Sequence, residues 1–263
     1  MKQTKKEIYA AEGILYDNKT NKIYHEKLGW INPLLVNGNQ KIGKGVYHFS
    51  TLPTNQLFDV VINGMSFTLK GTCKCNCNGC YATKGNYNFP SVKNALGVKT
   101  WLIRNDLVFV YRAITAQIKA ENIKTVRIHA SGDFDGLAYL FVWIRVIREN
   151  PSVIFWTYTK VKQFENAFEQ FENANIVKSL VDGIGVNYGH CDYIMSAYEK
   201  LNAEGKHVHI CRCGIDDNQH CTNCTACSKN DYVLFIEHST EYNAKADINY
   251  NALKTIIENQ KTA

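Results

Sequence analysis

The chain of 263 residues is 45% apolar and 21% charged, with 17 Gly and 4 Pro, the balance of one large or two small folded domains and not of a disordered or collagenous chain. No window holds the roughly 18 uninterrupted apolar residues of a spanning helix, and no secretory-type apolar run follows the basic start, so a cytoplasmic protein without membrane contact is expected. Thirty basic against 24 acidic residues leave +6, which admits an anionic substrate without requiring nucleic acid, and ten cysteines in a reducing compartment read as metal ligands rather than disulfides.

Residues 1–65 read as a β-rich N-terminal cap. Short strands are predicted at Glu7–Tyr9, Gly13–Tyr16, Lys22–Tyr24, Val46–Phe49 and Phe58–Ile62, separated by turns such as Asp17-Asn18 and Asn37-Gly38-Asn39. From residue 66 strand-length apolar runs alternate with helical spacing. Predicted strands are Phe67–Gly71, Thr125–Ala130, Val153–Tyr158, Gly183–Asn187, His207–Cys211 and Tyr232–Ile236. Predicted helices are Ser91–Arg104, Asp106–Ala120, Leu137–Glu149 (stopped by Asn150-Pro151), Lys162–Leu180 and Asp192–Ala203, the last closing at Gly205. The class is α/β: a partial (β/α) barrel over 66–240 with a C-terminal cysteine-rich loop, followed by a helix within 241–263. Sites in such a sheet gather at the carboxyl ends of its strands.

Directly after the first of these strands comes Thr72-Cys73-Lys74-Cys75-Asn76-Cys77-Asn78-Gly79-Cys80-Tyr81. Cys73, Cys77 and Cys80 have the spacing C-x3-C-x2-C, by which one tight loop presents three thiolates to a 4Fe-4S cubane and leaves the fourth iron open. Gly71, Gly79, Asn76 and Asn78 supply the left-handed freedom the loop needs. Cys75 stands as a fourth ligand, a spare thiol or a replacement for Cys73, and Cys191 as another fourth ligand. Zinc is the competing occupant.

This spacing, on the loop after a first barrel strand, resembles the radical S-adenosylmethionine enzymes. The resemblance implies S-adenosylmethionine as a cofactor, held near Ser131, Gly132 and Asp133, which stand where those enzymes carry a Gly-Gly-Glu type stretch. Their aromatic residue before the third cysteine is Gly79 here. A closer resemblance, over roughly residues 68–238, is to the phage gene product 88 family. It rests on Cys80-Tyr81-Ala82, Arg127-Ile128-His129-Ala130-Ser131-Gly132-Asp133-Phe134, Trp156-Thr157-Tyr158-Thr159-Lys160 and the later cysteines. It implies a phage-encoded iron-sulfur protein of the host cytoplasm.

His129, Ser131 and Asp133 lie after the second strand of the core, where they would act beside the first cluster. The competing reading of Asp133 is a helix cap. Thr157, Tyr158, Thr159 and Lys160 end the third strand, where hydroxyls and one ammonium would meet a carboxylate or phosphate. Asn187, His190, His207 and His209 read as pocket or polar-core residues, and Tyr139, Phe141 and Trp143 as core.

The second cysteine group is Cys211-Arg212-Cys213, then Cys221-Thr222-Asn223-Cys224-Thr225-Ala226-Cys227. The run C-x2-C-x2-C is the ferredoxin ligand pattern, completed by Cys211 or Cys213. The chain therefore reads as a protein of two 4Fe-4S clusters acting on a small molecule, with an electron donor as partner. Three functions compete: radical chemistry at the first cluster, a hydrolase or hydratase using an open iron as Lewis acid, and a non-catalytic electron-transfer or structural role.

Overall fold

The computed structural model describes residues 3–38, 42–74, 80–179, 188–212, 221–236 and 244–260. Thr4 opens helix α1 (Lys5–Ala11) with a capping box: its hydroxyl accepts from Glu7 N, and the Glu7 carboxylate accepts from Thr4 N. That box turns the expected strand Glu7–Tyr9 into a helix. Tyr9, fully buried, stacks on Tyr16 at 4.8 Å between ring centroids. Strands β1 (Tyr16–Asp17), β2 (Lys22–His25) and β3 (Gly29–Ile31) form an antiparallel sheet.

The main sheet is built from β4 (Val36–Asn37) and β5 (Val46–Phe49), with later strands added beyond a hairpin of β6 (Leu57–Ile62) and β7 (Met65–Lys70). Helices α2 (Pro90–Asn105) and α3 (Leu107–Glu121) follow, α3 being started by the Asp106 carboxylate on Phe109 N. Then come β8 (Thr125–Ile128), α4 (Leu137–Glu149), β9 (Ile154–Thr159) and β10 (Ala174–Lys178). The order is β10-β9-β8-β5-β4, with β5, β8, β9 and β10 parallel and β4 antiparallel at the edge.

Two expectations change here. The stretch Phe67–Gly71 contributes to the β6–β7 hairpin, and the parallel set begins with Val46–Phe49, which the sequence reading left in the N-terminal cap. Of the stretch expected as a helix over Lys162–Leu180, the described residues 162–179 form a 3-10 turn at Lys162–Phe164, then turns, then β10. The apolar spacing of Phe164 and Phe168 is met by burying both in the core without a helix, while Ile176 and Val177 pair with β9.

The remaining elements are β11 (Tyr188–Gly189), α5 (Cys191–Ala203), β12 (Val208–Ile210), α6 (Ala226–Lys229), β13 (Tyr232–Ile236) and α7 (Tyr250–Asn259). Strands β11, β13 and β12 make a second, all-parallel sheet. The predicted strand Gly183–Asn187 lies outside the described residues.

Each parallel sheet has one face in an apolar core. In the main sheet Phe49, Val126, Ile128, Phe155 and Ile176 pack in the large core that also holds Trp143. In the second, Ile210, Leu234 and Ile236 pack with Ile194, Leu201, Leu253 and Ile257 of α5 and α7. Alternation along the strands sends Arg127, Trp156, Tyr158 and Asn175 to the other face of the main sheet, and His209 and Val233 to the other face of the second. The sheets meet where Lys178 N donates to Asp231 O at 2.7 Å and where the Tyr158 and Phe235 rings lie 5.8 Å apart. No helix among the described residues is long and apolar enough to cross a membrane.

Candidate functional site

The entry of the cysteine loop, residues 71–73, lies at the carboxyl edge of the main sheet although β7 does not belong to that sheet. Gly71 N donates to Gln56 O, Thr72 N to Leu52 O and Cys73 N to Thr54 O, so the segment zips onto the chain leaving β5. Gly71 is required there, because a Cβ would lie 1.9 Å from Pro53 O. The Thr72 hydroxyl then sits 2.8 Å from Thr51 Oγ1 and accepts from Asp133 N at 3.0 Å. Thr72 thus ties the entry of the loop to the ends of β5 and β8. Cys73 and Cys80 are half-buried; Cys75 and Cys77 lie outside the described residues.

The loop after β8 is held by its own polar residues. His129 is left-handed (φ 62), a conformation that costs a residue with a Cβ and is held here by surrounding packing. Its Nε2 is 2.9 Å from the Tyr139 hydroxyl and its Nδ1 3.4 Å from Thr157 Oγ1. Burial, assisted by Arg127, pushes its pKa down to about 3, so the imidazole is neutral at neutral pH. Ser131 Oγ donates to Thr51 O at 2.7 Å. Asp133, 4% exposed, accepts from Phe134 N and Thr159 Oγ1 on one oxygen and from Lys160 N on the other. Burial raises its pKa and these donors oppose the rise. The residue capping α4 is Gly136, so Asp133 braces the end of β9 and does not cap the helix.

Of the residues expected to act beside the first cysteines, Asp133 and Lys160 line a cavity of about 680 Å³ together with Lys74 and Lys162. His129 and Ser131 are buried at 3% and 4% exposure with their polar atoms engaged by the protein, and Thr157 and Thr159 are buried likewise. Gly132 (φ 83) has no room for a side chain: a Cβ would lie 1.9 Å from Thr51 Oγ1.

The second cysteine group is brought together. Cys211, Cys221, Cys224 and Cys227 line one pocket with Trp156 and His209, between the non-core faces of the two parallel sheets. Strand β12 delivers Cys211, whose N donates to Leu234 O at 2.7 Å. Helix α6 carries Cys227 and is pinned to β10 by Asn175, whose Nδ2 donates to Cys227 O and Asn230 O, both at 2.9 Å. The Tyr158 hydroxyl lies 2.7 Å from Cys227 Sγ, and the Arg127 guanidinium 5.1 Å from the Tyr158 ring centroid. Burial pushes the Cys227 thiol up to about 12, which the Tyr158 hydrogen bond and Arg127 oppose.

Nε2 of His209 is buried against this pocket with no hydrogen-bond partner among the described residues. Four soft donors, a half-buried cation, a phenol and an unsatisfied imidazole nitrogen fit an anionic iron-sulfur group, whose sulfurs accept hydrogen bonds. Among the described residues no three His, Cys, Asp or Glu side chains gather around one metal-ion position.

Other candidates fall elsewhere. Cys191, weighed as a fourth ligand, opens α5 fully buried in the second core with its Sγ 3.9 Å from Ala244 O; it is a packing residue. Cys213 and Asn187 lie outside the described residues. His190 and His207 are exposed, and Phe141, expected in the core, is 60% exposed on α4. The sequence reading gave no role to Thr51, Thr72, Arg127, Lys74 or Lys162. Arg127 had one signal: a cation two residues from His129 on a strand whose other neighbours are apolar.

A family described as "Gene product 88" matches residues 33–246, more than half of the chain. The "Gene 88 protein" of Mycobacterium phage L5 is 54% identical over 39 residues, 15% of this chain and 16% of that protein. No solved structure matches.

Proposed function

The chain belongs to the gene product 88 family, and from that premise we propose that it is a phage-encoded iron-sulfur protein of the host cytoplasm, built on a partial (β/α) barrel whose two arcs are the parallel sheets. Cys211, Cys221, Cys224 and Cys227 hold one 4Fe-4S cluster. Cys73, Cys77 and Cys80 hold a second, with one iron open to S-adenosylmethionine. The observation that carries the reading is the convergence of Cys211, which follows β12, with Cys221, Cys224 and Cys227, which lead into and lie in α6, on one pocket beside Tyr158 and His209, with Arg127 against the Tyr158 ring.

When bound, such clusters supply electrons, and an open iron supplies a site for a cofactor's amine and carboxylate. The chain's own residues do the rest. Arg127 balances negative charge on the thiolates, Tyr158 donates to Cys227 Sγ, and His209 Nε2 donates toward the pocket. At the first site Thr72 and Asp133 hold the loop entry against the ends of β5, β8 and β9, and the cavity beside Asp133 admits a small substrate.

Anaerobic purification followed by iron and acid-labile sulfide analysis tests this. About eight of each are expected, falling to about four in a Cys224→Ser/Cys227→Ser variant. A colourless protein holding zinc overturns the proposal. Reduced protein given S-adenosylmethionine is expected to release 5′-deoxyadenosine. A full iron complement without that product contradicts radical chemistry and leaves electron transfer or stapling of the C-terminal lobe.

A further inference from the structure

We propose that the cavity at the carboxyl edge of the main sheet binds a small phosphate-bearing molecule. The argument needs no metal and does not depend on the clusters. Among the described residues, Lys74, Lys160 and Lys162 line the cavity with one acid, Asp133. That carboxylate already accepts from Phe134 N, Thr159 Oγ1 and Lys160 N, so its lone pairs are turned to the protein. The Lys160 ammonium interacts electrostatically with Asp133, so Lys74 and Lys162 leave the cavity with a net positive charge, in a place where buried hydrogen bonds hold its wall rigid.

The lysines come from two parts of the chain. Lys74 is carried on the cysteine loop and lies 5.6 Å from the Phe164 ring centroid. Lys160 and Lys162 are carried past the end of β9, on either side of the buried Val161. Lysines presented from two sides suit a multiply charged anion with oxygens in several directions, as a phosphate has. The volume, about 680 Å³, lies in the range of small-molecule sites. Among the described residues no aromatic ring lines the cavity, and they offer no base-stacking platform for single-stranded nucleic acid.

Calorimetric titration of the full chain with inorganic pyrophosphate tests the site, using a Lys74→Ala/Lys162→Ala variant and a charge-matched Lys6→Ala/Lys19→Ala control in the N-terminal region. All four lysines are exposed, so unchanged melting is expected and is checked by circular dichroism. Wild type and control are expected to bind alike, with affinity falling as salt is raised, and the cavity variant to bind at least about tenfold more weakly. A Lys162→Gln single variant, weakened in part, repeats the test should the double variant melt early. Absence of pyrophosphate binding by the wild type, or equal binding by the cavity variant, overturns the proposal. So does tighter binding of a single-stranded oligonucleotide that the same substitutions abolish. Because Lys74 lies between Cys73 and Cys77, iron removal is expected to weaken binding in part, whereas the loss caused by Lys162→Gln is expected in iron-loaded and iron-stripped protein alike, which separates the site from the cluster reading.

Discussion

Gly132 and His129 are neighbours in which backbone conformation and chemistry are inseparable. At Gly132 a positive φ and contact with Thr51 and Thr72 leave no space for a Cβ, so Gly132→Ala is expected to destabilise the fold by about 2–4 kcal/mol through strain and overpacking. Urea denaturation measures this, and a loss under about 1 kcal/mol would contradict the packing described. At His129 and His48 burial pushes each pKa down to about 3. Between the unfolded value of 6.5 and about 3 the unfolded chain takes up protons that the folded chain refuses. The stability contributed by keeping these rings neutral is therefore fully present above about pH 6.5 and falls on acidification, by about 1.4 kcal/mol per pH unit for each histidine. His129→Asn, which tolerates a left-handed backbone and carries no titrating group, is expected to remove about one histidine's share of that slope between pH 6 and 4.5. An unchanged slope would mean that the ring is not held neutral.

Helix α6 is a short element whose position depends on β10, because the Asn175 side chain makes two hydrogen bonds to its backbone. Asn175→Ala is expected to cost about 1–3 kcal/mol and to speed amide exchange in residues 226–230 at least about tenfold, with faster loss of iron from the loaded protein. Unaltered exchange would show that α6 is held by other contacts. Elements with dense apolar periodicity and clear punctuation were legible from sequence: α4 spans Leu137–Glu149 and β13 spans Tyr232–Ile236, as expected. The N-terminal helix was missed because its signal is the Thr4…Glu7 capping box rather than periodicity. The stretch 162–180 was misread because helical spacing of phenylalanines also arises when turns bury successive rings, and because β10 exists by pairing with β9, an interaction no local window contains. The same holds for Val46–Phe49, recognisable as a strand but not as the partner of β8.

In the whole molecule, the two sheets each turn one face to a separate large core, and their other faces hold the thiol pocket and a small buried cluster of Ile42, Val46, Ala130 and Trp156. The cysteine spacing pointed to Cys221, Cys224 and Cys227 with Cys211 or Cys213; Cys211, Cys221, Cys224 and Cys227 line one pocket, and Cys213 lies outside the described residues. The spacing was silent on what would surround them, since Trp156 lines the pocket, Tyr158 and Asn175 meet Cys227, and Arg127 meets Tyr158 only through strand alternation and register. The cavity lysines were hidden for a similar reason: Lys74 and Lys162 are far apart in sequence and meet only because Thr72 is tied to the strand ends. The central claim is that the thiol pocket is an iron-sulfur site. X-ray absorption at the metal edge of protein purified without air measures this most directly. The account expects iron bound by sulfur with a short iron–iron shell, reduced by about half in Cys224→Ser/Cys227→Ser. A zinc edge with sulfur neighbours and no metal–metal shell would contradict it.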